Sequence, residues 1–264
     1  RQWGRDVVQV PMTTDGGRPV LDLEAIDAAL GAGGGLVTLV NPHNPTGRVF
    51  GLDEWRTLFS LADRHGFAIA SDECYSEVHF DESAPPLGAL GAAALLGRAG
   101  HAGVVVFGSL SKRSNAPGLR SGYVAGDAKL VAAFLRYRTY HGSAMSPAVA
   151  TASLAAWRDE AHVRENRARY AAKFDALTPR LAAALPCERP DAAFYLWAKT
   201  PGDDAEFAKR LYAEEHVTVL PGSYIARDAH GINPGRGRIR IALVAGEAEC
   251  AEGVDRIVRL ARRM

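Results

Sequence analysis

Leu36-Val37-Thr38-Leu39-Val40 runs straight into Asn41-Pro42-His43-Asn44-Pro45-Thr46-Gly47. The first five residues form a short continuous apolar run, as expected of a strand covered on both faces. The next seven hold two asparagines, two prolines and a glycine, the residues of a rigid turn. A turn alone needs fewer of them, and a fixed backbone can aim an amide into the crevice beyond the strand. The same unit recurs twice. Residues 67–70 lead into Ser71-Asp72-Glu73-Cys74-Tyr75, and residues 104–107 lead into Gly108-Ser109-Leu110-Ser111-Lys112-Arg113.

Helical patterns separate these strands. Residues 21–30 place Leu23, Ile26 and Leu30 at helical spacing, with Gly31 where a C-terminal cap belongs. Asp53 opens a helix whose Trp55, Leu58, Phe59 and Ala62 share a face, and Gly66 stops it. Residues 7–11 and 122–125 read as further strands, and Asp127 caps a helix carrying Leu130, Val131, Phe134 and Leu135. Strands alternating with helices predict an α/β protein with a mostly parallel sheet. After about residue 145 the pattern changes to two helices over 146–184, broken near Asp159, and then a smaller α+β unit. Its strands are expected at 193–198, 217–220 and 238–243, and its helices at 205–214 and 247–262. The predicted division is a large domain over 1–158 and an interdomain helix with a small domain over 159–264.

Composition narrows the function. Among 264 residues, 31 Lys plus Arg balance 30 Asp plus Glu to a net charge of +1. No basic excess draws the chain to nucleic acid or anionic lipid. No apolar run reaches the roughly 20 residues that span a bilayer. Three scattered cysteines give neither a disulfide framework nor a Cys-x-x-Cys metal clasp, so the expectation is a cytoplasmic protein without a metal. The glycine cluster at 31–35 precedes a strand and lacks dinucleotide-fingerprint spacing, and reads as a flexible turn. The chain opens at Arg1 without a Met and enters an apolar run at once, as a piece of a longer protein would.

In an open parallel sheet the loops at the carboxyl ends of strands line the ligand crevice, so the three loops can meet there. A carboxylate just past a buried strand, as at Asp72, needs a cation or donors. It serves either as a helix N-cap or as partner of a buried positive group, a pair worth about 4 kcal/mol at ~4 Å before desolvation is subtracted. Ser109, Ser111 and Arg120 suit a phosphate. Lys112 between them is a candidate Schiff-base nucleophile or, more plainly, part of a solvated basic loop. Ser109-Leu110-Ser111-Lys112 also fits the S-x-x-K of serine β-lactamases, but Ser-Asp-Asn and Lys-Thr-Gly are missing.

Together and in this order, the three motifs resemble the class I/II aminotransferases of fold type I, which use pyridoxal 5′-phosphate. The resemblance implies that Lys112 bonds the cofactor and shuttles the proton, and that Asp72 pairs with the pyridinium nitrogen. It assigns Asn44 and Tyr75 to the ring's phenolic oxygen, Ser109, Ser111 and Arg120 to the phosphate, and Arg240 to the substrate α-carboxylate, where Asn44 also stands. Arg238, on the same strand face, is the alternative clamp. Within the superfamily, Ser111-Lys112-Arg113-Ser114-Asn115, residues 220–227 and residues 230–235 are most similar to N-succinyldiaminopimelate aminotransferases of lysine biosynthesis. That implies amino transfer from L-glutamate to N-succinyl-2-amino-6-oxopimelate, with Arg113 and Arg227 as candidate cations for the distal arm, in a homodimer. Family members carry an N-terminal arm, a phosphate-binding turn with its helix, and a tyrosine lent to the neighbouring subunit. None lies upstream of Arg1, so the N-terminal part of the fold is expected to be missing and the chain alone poorly active. Rival readings are an aspartate- or alanine-type aminotransferase of broad specificity, a carbon–sulfur lyase using the same cofactor, and a non-catalytic cofactor-binding regulator domain.

Overall fold

Asp22 sets the first helix in place, because its carboxylate accepts the Ala25 N–H at 2.9 Å. The computed structural model describes residues 4, 6–15, 18–31, 35–142 and 144–264. Arg1, Gln2, Trp3 and Arg5 of the chain start, and Ala32, Gly33 and Gly34 of the glycine cluster, lie outside the described residues. The strand expected at 7–11 is not formed: Val7 and Val8 are exposed, and Pro11 has no N–H to give a ladder. A short hairpin follows instead, β1 (Thr13–Asp15) with β2 (Arg18–Val20), and then α1 (Leu23–Leu30).

Next come β3 (Leu36–Val40), α2 (Leu52–His65), β4 (Ala68–Asp72), α3 (Ala89–Leu95), β5 (Val104–Ser109), the one-turn α4 (Leu110–Arg113), β6 (Gly122–Gly126) and α5 (Ala128–His141). The sheet order is β3-β4-β5-β6, with the first three parallel and β6 antiparallel to β5. Trp55, Leu58 and Phe59 of α2 pack with Ile69, Val104 and Val106 of the sheet and with Ala89 and Ala92 of α3. Glu54 accepts the Gly51 N–H at 2.8 Å, so Gly51 caps α2 and Asp53 sits in its first turn. The register pairs Val40 with Asp72 and Asp72 with Phe107, so three strand ends reach the same level.

A further expectation fails in this half. β3 is not covered on both faces. It is an edge strand, and Leu36 is 57% exposed. α5 is capped by Asp127 as expected, yet it buries no residue, and Leu135 is 65% exposed. Leu130 and Val131 are half-buried and Phe134 meets Phe107 edge-on at 6.1 Å, while the rest of its apolar pattern faces away from the sheet.

The second half holds α6 (Pro147–Arg158), α7 (Ala161–Ala182), β7 (Tyr195–Lys199), α8 (Asp204–Glu215), β8 (Leu220–Pro221), α9 (Gly222–Ile225), β9 (Arg238–Ala242) and α10 (Glu247–Ala261). Its antiparallel sheet has the order β7-β9-β8. β8 is shorter than the expected 217–220 run and ends at Pro221, where α9 begins. Phe174 and Leu181 of α7, Leu196 of β7, Phe207 and Leu211 of α8, Ile239 of β9 and Val254 and Ile257 of α10 form a second core. Among the described residues, no helix is long and apolar enough to cross a membrane.

Candidate active site

The parallel sheet presents its three loops side by side. Asn41 fixes the first: its amide donates to Leu87 O and accepts the Phe50 N–H, each at 2.9 Å, and its own N–H reaches Asp72 O. That leaves Asn44, three residues on, as the amide facing the cleft. Gly47 closes the loop at φ +69, and a Cβ there would meet Pro190 Cβ at 2.3 Å and Ala192 O at 2.5 Å. No other residue fits this close approach. Next to Asn44, His43 Nδ1 lies 2.9 Å from Thr46 Oγ1, and burial pushes the imidazole down to about 4.

At the end of β4 two adjacent carboxylates take different jobs. Glu73 Oε1 accepts the Ala89 N–H at 2.7 Å and so caps α3, and burial raises its carboxyl above the usual range. Asp72 Oδ1 accepts the Cys74 N–H at 3.0 Å, a cap on the turn over 73–76 and not on a helix. Burial, with the Asp72 carboxylate beside it, pushes the Cys74 thiol up to about 12. Tyr75 then enters an aromatic group from the second half of the chain, with centroids 5.6 Å from Phe194 and 5.5 Å from Tyr195. Burial raises the Tyr75 phenol, while the neighbouring Tyr195 hydroxyl and then Arg240 draw it back.

Lys112 rides on α4, directly after β5. Ser109 caps that turn through Oγ, which accepts the Ser111 N–H at 3.0 Å and lies 2.8 Å from Ser111 Oγ and 3.1 Å from Ser121 O. The lysine is half-buried, with Nζ 5.2 Å from the Phe194 centroid and 5.8 Å from that of Tyr75. Among the described residues it has no hydrogen bond or ion pair. An ammonium over two rings is favoured by their quadrupoles, and its three donors stay available.

Arg240 reaches the cleft from β9. Its Nη1 donates to Asn44 Oδ1 at 2.8 Å, across 196 residues of sequence, and its guanidinium stands 5.2 Å from the Tyr195 ring centroid. Arg238 makes no such bond to the Asn44 loop. Asn44, Tyr75, Lys112 and Arg240 are thus joined through shared neighbours, and Asp72 ends the strand that leads to Tyr75. Arg120 stands apart: it is exposed, adopts φ +51, and donates Nη1 to Pro117 O at 2.9 Å. Arg113 does not serve the cleft. It is buried, paired with Glu77 at 2.6 Å and with Glu160, and donates to Ala156 O. Its charge is spent inside the fold, which removes it as a cation for substrate. Arg227 is exposed and lines a neighbouring cavity.

Sequence reading missed the aromatic wall. Phe194 and Tyr195 read only as the start of a strand, although two adjacent aromatics there were a signal. Ala193 preceding them is buried at φ +75, a region a non-glycine rarely occupies. It is held there because its N–H reaches Val78 O at 2.7 Å while the Ala192 N–H reaches Gly47 O at 3.0 Å. The segment thereby ties the second core to two of the three loops. Tyr195 is buried, and its hydroxyl has no hydrogen-bond partner of full geometry. A half-buried amine, a carboxylate, a phenol and an amide on one side of the aromatic wall could hold a flat polar ligand. Among the described residues, no group of three or more His, Cys, Asp or Glu could hold a metal ion.

A family model described as aminotransferase class I and II matches residues 2–257. An LL-diaminopimelate aminotransferase of Nitratidesulfovibrio vulgaris is 33% identical, over 90% of this chain and 60% of that protein. A crystal structure of an aminotransferase from Neisseria meningitidis is 53% identical at a TM-score of 0.82, covering 86% of this chain and 58% of the other. A probable N-succinyldiaminopimelate aminotransferase from Thermus thermophilus is 27% identical at a TM-score of 0.80, covering 95% and 64%. The chain therefore spans 58–64% of the length of these relatives.

Proposed function

We propose that this chain, which belongs to the class I and II aminotransferases, carries the site for amino transfer between an amino acid and a 2-oxo acid. The observation that carries the reading is the Arg240–Asn44 bond at 2.8 Å together with a half-buried lysine that has no acceptor among the described residues. On this reading residues 1–158 hold the cofactor and residues 159–264 supply the carboxylate clamp.

The donor set fits the family's cofactor, pyridoxal 5′-phosphate. Asp72 would hold a proton on the ring nitrogen by charge, and Asn44 and Tyr75 would donate to the phenolic oxygen. Ser109, Ser111 and Arg120 would hold the phosphate, with Arg120 turning away from Pro117 O to do so. When bound, the cofactor supplies a conjugated ring that takes up the electron pair left by a departing α-proton. Lys112 Nζ would accept that proton at the substrate α-carbon and return it. Arg240 would hold the α-carboxylate through the guanidinium nitrogens that Asn44 leaves free, and so fix which bond is presented. The Phe194–Tyr75 wall excludes water on one side of Lys112.

For the whole protein the proposed reaction moves the amino group of L-glutamate to N-succinyl-2-amino-6-oxopimelate, in a cytoplasmic homodimer of lysine biosynthesis. Two relatives whose names carry diaminopimelate support this choice. The test compares kcat/KM for the succinylated oxo acid, oxaloacetate and pyruvate, with glutamate as donor. A preference for the succinylated acid is expected, and a preference for either small acid moves the reading to a general aspartate- or alanine-type enzyme.

A further inference from the structure

α4 is a single turn of four residues. One turn fixes too much backbone for too few hydrogen bonds to hold itself in water, so its place depends on its surroundings. Leu110 anchors its start: the side chain is fully buried and the N–H reaches Ser121 O at 3.1 Å. Lys112 then faces the aromatic wall. The three residues after it, Arg113, Ser114 and Asn115, each reach the corner where α6 ends and α7 begins.

Arg113 Nη1 donates to Ala156 O at 2.9 Å, in the last turn of α6, where a cation complements the helix dipole. Its Nη2 pairs with Glu160 at the start of α7, and its Nε lies 2.6 Å from Glu77 Oε2, just past Tyr75. The Trp157 ring stands 5.2 Å from the guanidinium. A planar fork of five donors can serve three segments at once, which an ammonium cannot. Ser114 Oγ lies 2.8 Å from His162 Nε2, and Nδ1 of the same ring lies 2.9 Å from Asp159 Oδ2. With the Nδ1 proton held by that carboxylate, the neutral ring accepts the Ser114 hydroxyl through Nε2. Asn115, at φ +49, donates Nδ2 to Asn166 Oδ1 at 2.8 Å, four residues further along α7.

α7 continues into the second core through Phe174, Leu177 and Leu181. On the way Tyr170 stacks on Phe194 with centroids 5.8 Å apart, and Phe194 is the ring 5.2 Å from Lys112 Nζ. One helix therefore holds both the turn that carries the lysine and the ring beside its amine. We propose that Arg113, with Ser114 at its side, is a positioning residue for Lys112. It fastens the lysine turn to the α6–α7 corner and so fixes where Nζ stands in the cleft. This rests on the reading of Lys112 as the residue that bonds the cofactor and carries the proton. Arg113 acts through the backbone of the turn, and a small misplacement of a reacting group is costly in rate.

The experiment follows the bond between protein and cofactor. Cofactor-free protein is mixed with pyridoxal phosphate, the adduct is trapped with borohydride at timed intervals, and peptide mass assigns it to Lys112. Arg113→Gln is expected to slow adduct formation by ~10-fold or more and to lower kcat by a similar factor, while KM for L-glutamate stays within about 2-fold. Arg113→Lys should recover part of both rates. Glu160→Gln and Ser114→Ala keep Arg113 paired with Glu77 and should slow both by about 2–5-fold. These two decide the matter where Arg113→Gln does not fold. Parental trapping rate and kcat in both of them overturn the clasp, as does a loss in Arg113→Gln that falls on KM with kcat kept. If the parent itself yields no adduct at Lys112, the reading of that lysine fails, and the inference with it.

Discussion

The two halves of the molecule treat their sheets differently. In the antiparallel half, β9 runs between β7 and β8, α7, α8 and α10 pack on the core, and Phe174, Leu196, Phe207 and Ile239 are fully buried. In the parallel half, β3 is an edge with Leu36 57% exposed, and α5 buries none of its residues. Yet the open half supplies Asn44, Asp72, Tyr75, Ser109 and Lys112, whereas the closed half supplies Arg240 and the Phe194–Tyr195 wall. Parallel strands end together and deliver loops to one edge, which concentrates chemistry there. An antiparallel sheet offers a face, and with it a row of same-side residues such as Arg238 and Arg240.

The contrast can be broken most sharply at Lys112. Lys112→Ala is expected to remove the borohydride-trappable bond between protein and cofactor and to lower turnover by ~10³-fold or more, since on the proposed reading the site then lacks its proton carrier. A trapped lysine adduct in that variant would assign the role elsewhere. Asp72→Asn should keep the cofactor bound but cost about 10²–10³ in rate, equivalent to ~3–4 kcal/mol. Near-parental turnover would leave Asp72 as the cap of the 73–76 turn and nothing more.

Stability separates the halves directly. Phe207→Ala in the closed core should cost ~3–5 kcal/mol, through lost burial and the cavity left behind. Leu135→Ala on α5 should stay within about 0.5 kcal/mol, because its side chain is already in water. Urea midpoints measure both, and a large loss at Leu135 would mean that α5 is covered in solution.

A pH effect is expected at the loop that carries Asn44. His43 is held neutral by burial, with its folded value near 4 against an ordinary 6.5. The unfolded chain therefore takes up a proton first as pH falls, so the stabilisation is complete above about 6.5 and is lost towards pH 4. The stability–pH slope between those limits should flatten in His43→Gln. An unchanged slope would show that the imidazole is wetter than its surroundings imply.

Much of this was legible in the residues. The three strand–loop units, the Asp127 cap, the Gly66 stop and the break near Asp159 all depend on contacts within a few positions, and so leave a local pattern. Lys112, Asp72 and Asn44 stood out because each belongs to a polar stretch at the end of a predicted strand. What the chain order alone determined was therefore an α/β scaffold and a short set of groups with the right chemistry for amino transfer. Tertiary structure decided which of them cooperate. It chose Arg240 over Arg238 as the partner of Asn44, gave Glu73 to the α3 N-terminus and left Asp72 in the cleft. It withdrew Arg113 into pairs with Glu77 and Glu160, and brought Phe194 and Tyr195 against Lys112 and Tyr75. These outcomes depend on pairings between residues tens to hundreds of positions apart. Sequence spacing cannot encode them, because burial and charge neutralisation are settled only when the two cores pack.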